Sequence, residues 1–160
     1  MKFFKLSFEQ SFGAVIFRKD GVGEIKFLLL RYRRGHWDFP RGHKENHETD
    51  EETVRREVQE ETGLVDIEIV PSFLATGWFW YIAKGDELEA RLKNKQGTVI
   101  LKKTYIHLAQ VRTDQIKLLS PKEQSGFAWL SFEEAIGRVT YARPRKTLEK
   151  AHRFLLKLTR

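Results

Sequence analysis

The chain has no cysteine among its 160 residues. That absence excludes disulfides, thiolate nucleophiles and cysteine-liganded zinc or iron–sulfur sites, and it fits a reducing compartment. Nowhere do about 18 apolar residues run together, so no transmembrane helix and no membrane partner are expected. The opening MKFFKLSFEQSFGAVIF lacks a sustained apolar stretch followed by a small-residue cleavage site, and a cytoplasmic protein is the expectation. Internal repeats and low-complexity linkers are also missing, which makes one domain over residues 1–160 the expected organisation. His47, His107 and His152 show no His-Glu-x-x-His spacing, so a histidine-held zinc is not supported and these rings are expected to be structural or solvent-facing.

What is present is a hydrophobic content of 41%, enough for a core, and an excess of Lys plus Arg over Asp plus Glu that gives a net charge of +7. Such a balance favours polyanionic partners: nucleotides, nucleic acid or acidic membrane surfaces. Residues 11–19 (SFGAVIFRK) and 25–33 (IKFLLLRYR) are β-rich runs joined by DGVGE, as in a hairpin. From Glu48 to Thr62 no Gly or Pro interrupts the chain, and Val54 and Val58 stand four apart, which predicts an amphipathic helix closed by Gly63. IEIVPSFLATGWFWYIA reads as one or two strands, TVILKKTYIHLAQV as another, and KGDELEARLKNKQG as a polar connection between them. FAWL is a short final strand. Ser131 with Glu134 three residues on forms a capping-box signature, and Pro144 suits the first turn of a terminal helix through Leu158. That basic helix carries Leu148, Ala151, Leu155 and Leu158 at helical spacing, the pattern of a helix packing on the sheet.

The 48–62 segment is strongly acidic within a basic chain. On a helix Glu57, Glu60 and Glu61 fall on one side, where three carboxylates repel one another unless a hard divalent cation with oxygen ligands sits among them. The bland reading is a solvated, Glu-rich surface helix, the usual meaning of a charge run. Spacing decides against it. Gly42, Glu48 and then Arg56-Glu57-Val58-Gln59-Glu60-Glu61-Thr62-Gly63-Leu64 resembles the signature of the Nudix hydrolases at every specified position, a match expected by chance on the order of once in ten million.

The resemblance implies the α/β Nudix fold, a mixed sheet between helices, and hydrolysis of a nucleoside diphosphate linked to another group. It implies that Glu57, Glu60 and Glu61 hold Mg²⁺ or Mn²⁺, that the Gly42 carbonyl adds a ligand, and that Arg56 pairs with Glu48 to brace loop against helix. A carboxylate then takes the proton of the attacking water: Glu57 or Glu61 from the signature, or Glu123 outside it.

The flanks narrow the family. GHWDFPRGH and EQSGFAWLSFEEAIGRVTYARPRKTLEKAHRFL resemble the corresponding runs of the asymmetric diadenosine tetraphosphate hydrolases. That likeness implies phosphate contacts from His36, Arg41 and His43, with Arg41 where those enzymes usually carry lysine, a change that keeps a bidentate phosphate grip. It also implies Lys102 or Lys103 on the polyphosphate, Tyr141 stacked on adenine, and Trp80 or Tyr81 as the opposite face. The expected partner is a small dinucleoside polyphosphate, and the sequence is compatible with a monomer. Two departures border the cleft: Asn46 and His47 stand where the family usually has proline and glycine, and the connection at 84–97 is longer and more charged. The alternatives are removal of pyrophosphate from an RNA 5′ end, which WDFPRG and the net charge suit, hydrolysis of diphosphoinositol polyphosphates, or a non-catalytic nucleotide- or RNA-binding module.

Overall fold

The computed structural model describes residues 4–158. In chain order its first elements are β1 (Leu6–Lys19), β2 (Ile25–Tyr32), β3 (Trp37–Asp38), β4 (Arg41–His43), α1 (Asp50–Thr62), β5 (Glu68–Ile69) and β6 (Ala75–Ile82). They are followed by α2 (Gly85–Lys93), β7 (Val99–Gln110), β8 (Gln124–Leu130), α3 (Phe132–Arg138) and α4 (Ala142–Leu158).

β1 and β2 form the expected hairpin, with Ile16 opposite Leu28. Its turn is closed by the Asp20 carboxylate, which accepts from the Val22 and Glu24 amides at 3.1 and 2.8 Å. β1 also runs parallel to β7, from Leu6 opposite Val99 to Phe17 opposite Gln110. That ladder draws the strand back to Leu6, five residues before the expected start at Ser11, because backbone groups there gain partners that local sequence cannot announce.

The other edge of β1 divides: residues 11–13 pair with β4 and residues 16–19 with β2. β7 divides likewise between β6 and β5. The result is a mixed eight-stranded sheet with helices on both faces. Phe12, Ala14 and Ile16 face Val54 and Val58 of α1. The alternate residues Val15 and Phe17 join Leu148, Ala151 and Leu155 of α4 in a second core layer.

α1 begins two residues later than Glu48. Thr49 is its N-cap: its hydroxyl accepts from the Glu52 amide at 3.2 Å, and the Glu52 carboxylate accepts from the Thr49 amide at 2.7 Å. Glu48 is thereby left outside the helix and free to turn toward Arg56. At the other end Gly63 takes φ 74°, the left-handed conformation that glycine adopts without a Cβ penalty, and its amide donates to the Gln59 carbonyl at 2.8 Å.

The stretch read as a polar connection is in fact α2. Glu, Leu, Ala, Arg and Lys are strong helix formers, and Glu87 and Arg91 make an i,i+4 pair at 2.8 Å, so the signal was present but masked by the polarity of the segment. The Ser131–Glu134 capping box forms as expected, and Pro144 lies in the first turn of α4.

Candidate active site

Gly42 of β4 lies directly against α1. A Cβ at that position would stand 2.1 Å from the Glu57 carboxyl carbon, so any side chain there would expel Glu57 from its seat. Arg56, one residue earlier on the helix, gathers the surrounding oxygens. Its Nε and Nη2 donate to Glu48 at 2.6 and 3.1 Å, Nη2 donates to the His43 carbonyl at 2.8 Å, and Nη1 reaches Glu57 at 2.7 Å and Glu60 at 3.2 Å. One guanidinium thus ties the 43–48 loop to the helix and keeps Glu57 in place. Its hydrogen bonds hold the Glu48 carboxyl down at about 2.

Two signature glutamates are withdrawn from water. Burial, reinforced by the charges of Glu57 and Glu123, pushes Glu61 up to about 8 although the Tyr32 hydroxyl donates to it at 2.7 Å. Burial raises Glu57 as well, against the pull of Arg56. Glu60, by contrast, is half exposed. The three therefore do not close on one point, and among the described residues no three His, Asp or Glu side chains are gathered tightly enough to enclose an ion. The donor set nonetheless fits a hard cation. It consists of carboxylate and carbonyl oxygens lining one cleft, and burial opposes the ionisation of Glu57 and Glu61, so added positive charge beside them would be favourable.

That cleft, of about 500 Å³, is lined by Arg41, Gly42, His43, Glu57, Glu60, Glu61, Lys102 and Glu123. Arg41 and Glu123, the first and last of these in the chain, meet there. Among the described residues no hydrogen bond or ion pair holds the Glu123 side chain, although its backbone carbonyl accepts from the Arg33 amide at 2.8 Å. Lys102 faces this cleft, whereas Lys103 lies on the opposite face of β7 over the rings of Trp78 and Tyr105 at 5.2 and 4.9 Å. Strand parity thus selects Lys102.

Glu9 of β1 organises the cations and was not foreseen. Arg91 of α2 hydrogen-bonds to its Oε1, while His43 and Lys102 approach its Oε2 at 3.0 and 3.3 Å. Burial alone would raise this carboxyl, but Arg91, Lys102 and His43 together bring it down to about 2. Only the parallel β1–β7 pairing sets Glu9 beside Lys102, so nothing local in the sequence marks it.

A second cleft of about 670 Å³ adjoins the first and shares Arg41 and Phe79 with it. Its walls include Tyr81, Tyr141 and Arg143, and the guanidinium carbons of Arg41 and Arg143 lie 6.0 and 5.6 Å from the Phe79 ring centre. Tyr141 is half exposed here. Tyr81 donates its hydroxyl to Glu87 at 3.0 Å and is pushed up to about 12, first by burial and then by Glu87.

Trp80 does not reach either cleft. β6 alternates, so Phe79 and Tyr81 point one way while Trp78 and Trp80 point the other, and the ring facing Tyr141's cleft beside Tyr81 is Phe79. Nor does His36 line either cleft. It is stacked on Tyr32 at 4.9 Å and tilted against Tyr141 at 5.6 Å, a spacer behind the exposed tyrosine, with its pKa lowered by burial. The alternation that separates Phe79 from Trp80 is visible in the sequence, but which parity faces the cleft depends on the pairing with β7.

Comparison with known proteins converges on this architecture. The NUDIX domain profile matches residues 8–154. The chain is 30% identical over 152 residues to the asymmetrical bis(5′-nucleosyl)-tetraphosphatase of Rattus norvegicus and 31% identical to that of Mus musculus, in each case over 89% of this chain and 92% of the relative. A crystal structure of a C. elegans Ap4A hydrolase binary complex superposes with a TM-score of 0.73 at 28% identity, covering 93% of this chain and 98% of that one. An RNA pyrophosphohydrolase of Stenotrophomonas maltophilia is 39% identical over 69 residues, 43% of this chain and 32% of that protein.

Proposed function

The chain belongs to the Nudix family and is a Nudix hydrolase, and from that premise we propose that its substrate is a dinucleoside polyphosphate, diadenosine tetraphosphate first, cleaved asymmetrically to ATP and AMP. The observation that carries this reading is the joining of the two clefts. A compartment lined by Glu57, Glu60 and Glu61 together with Arg41, His43 and Lys102 adjoins an aromatic one, with Arg41 and Phe79 common to both. A polyphosphate with a purine at its end asks for that sequence of environments.

Glu57, Glu60 and Glu61 with the Gly42 carbonyl are the residues that would hold a divalent cation, Mg²⁺ or Mn²⁺. Bound there, it would supply charge neutralisation on the phosphate chain and a more acidic water. The protein's own groups do the rest. Arg41, His43 and Lys102 orient phosphate oxygens, and Glu9 keeps the last two in place. Arg56 and Glu48 brace the helix against the 43–48 loop. Phe79 and Tyr141 receive the base, with His36 supporting Tyr141 from behind. The proton released as water attacks phosphorus passes to a carboxylate of the cleft. Glu123 suits this role, since Glu57 and Glu61 are already engaged by Arg56 and Tyr32.

Removal of pyrophosphate from an RNA 5′ end is the second reading, favoured by the net charge of +7 and the partial likeness to the bacterial RNA enzyme. Chromatography of products after incubation with Mg²⁺ separates the two. Diadenosine tetraphosphate, 5′-triphosphorylated RNA, a diphosphoinositol polyphosphate and ADP-ribose are offered at matched concentration and salt. ATP plus AMP as the preferred products is the expected result. Preferred pyrophosphate release from RNA, with a steep dependence on salt, would overturn the substrate assignment and leave the hydrolase site standing.

A further inference from the structure

α1 covers only part of its face of the sheet. It packs on β1 and β4, over the half of β1 that carries Phe12, Ala14 and Ile16. The other half, toward Leu6, has no such cover on that face among the described residues. There the ladders of β1, β7 and β6 align Leu6 with Val99 and Ile82 in one row, and Phe8 with Leu101 and Trp80 in the next. Gln10, Lys103 and Trp78 form a further row at its polar border, the lysine lying over the indole at 5.2 Å.

These side chains are open to water: Phe8 is 68% exposed, Trp80 66%, Trp78 51%, Leu6 49% and Ile82 42%. None of them lines either cleft. The reverse face of the same strands is occupied, since Arg91 and Glu87 of α2 reach Glu9 and Tyr81 there. One side of a three-stranded layer is therefore dressed with charge and the other is bare and apolar, beyond what scattered surface hydrophobics account for.

We infer that this bare face is a homodimer interface whose occupant is the same face of a second copy. The first argument is area. At about 200 Å² for a fully open aromatic side chain, the three rings leave roughly 370 Å² in water, and the two aliphatic residues bring the face to the order of 500 Å². Two copies then remove about 1,000 Å², the threshold for a specific interface and the size of weak, reversible association.

The second argument is charge. The chain carries +7, so two copies repel except where they meet on neutral ground, and these rows contain a single cation, Lys103, already seated on Trp78. A polyanion such as RNA or an acidic membrane finds too few cations here to be held. A twofold axis through the patch places like against like, which suits an apolar surface and leaves both clefts open.

Sedimentation velocity of the full chain from about 1 to about 100 µM tests the assignment. A monomer–dimer equilibrium with a midpoint in the micromolar range is expected. Phe8→Lys and, independently, Ile82→Lys should keep the protein monomeric throughout, with unchanged circular dichroism and unchanged hydrolysis per chain. A wild type that stays monomeric at 100 µM overturns the proposal. So does a dimer that survives both substitutions, or a monomer that instead co-floats with vesicles of phosphatidylcholine and phosphatidylserine.

Discussion

The two adjoining clefts use opposite physics. The acidic cleft holds its groups by mutual restraint: Arg56 grips Glu48, Glu57 and Glu60, and Glu9 grips His43 and Lys102. The aromatic cleft is looser, with Tyr141 half exposed and two arginines resting above Phe79. The contrast teaches where rate and where selectivity should reside. Chemistry on phosphorus needs carboxylates and cations fixed to fractions of an ångström, whereas a base can be gripped by stacked rings that tolerate some play. Substitutions in the first cleft should depress turnover of every substrate. Those in the second should discriminate between substrates with and without a second base.

The sharpest break of that contrast is expected from Glu60→Gln and Glu61→Gln. Each should lower kcat by roughly a thousand-fold or more on dinucleotide and mononucleotide substrates alike, with the fold retained. Equal activity of both variants with wild type, measured by product chromatography, would remove the carboxylates from the chemistry. Arg56→Ala comes next. By freeing Glu48 and Glu57 it should raise the Mg²⁺ concentration needed for half-maximal rate by about 10- to 100-fold, the usual cost of losing a ligand's support.

Tyr141→Ala tests the aromatic side. Loss of one stacking partner, about 1–3 kcal/mol, should raise KM for diadenosine tetraphosphate roughly 5- to 150-fold while kcat holds. A matching loss on a substrate that lacks the second base would show that the two clefts do not divide the work.

Glu9→Gln should be milder, a two- to five-fold rise in KM from about 0.5–1 kcal/mol of lost charge pairing, because His43 and Lys102 remain in the cleft. A fall in kcat with KM unchanged would count against its positioning role.

The smallest signal is in the pH dependence of stability without divalent ions. Folded Glu61 titrates near 8 against an ordinary 4.5, so between those values the folded chain keeps a proton that the unfolded chain has lost. Stability should therefore decline as pH rises from about 4.5 to about 8. Urea melts of wild type and Glu61→Gln at several pH values isolate the effect as their difference. The difference should shrink when Mg²⁺ is added, and a difference independent of pH would contradict the burial of that carboxyl.

Much of this protein is legible in its sequence where the signal is local. The Gly63 end of α1, the Ser131 cap and the spacing of Glu57, Glu60 and Glu61 all follow from neighbours within four residues, whereas the Thr49 cap that starts α1 two residues after Glu48 was passed over. α2 was legible too, through Glu87 and Arg91, but charge disguised it as a loop. The failures have one cause. Trp80 against Phe79, His36 against the cleft wall and the unseen Glu9 are each decided by which strand lies beside which, and a shift of one residue inverts every side chain.

The sequence by itself determined the carboxylate-bearing helix, its Gly63 end and the family to which the chain belongs, because these rest on spacing along one element. Only the tertiary structure decided that Lys102 rather than Lys103 faces the cleft, that Glu123 comes to within electrostatic reach of Glu61, and that one face of β1, β6 and β7 is wired with charge while the other is bare. Those outcomes depend on the parallel pairing of β1 with β7, a contact between residues more than ninety positions apart, which no local preference can encode.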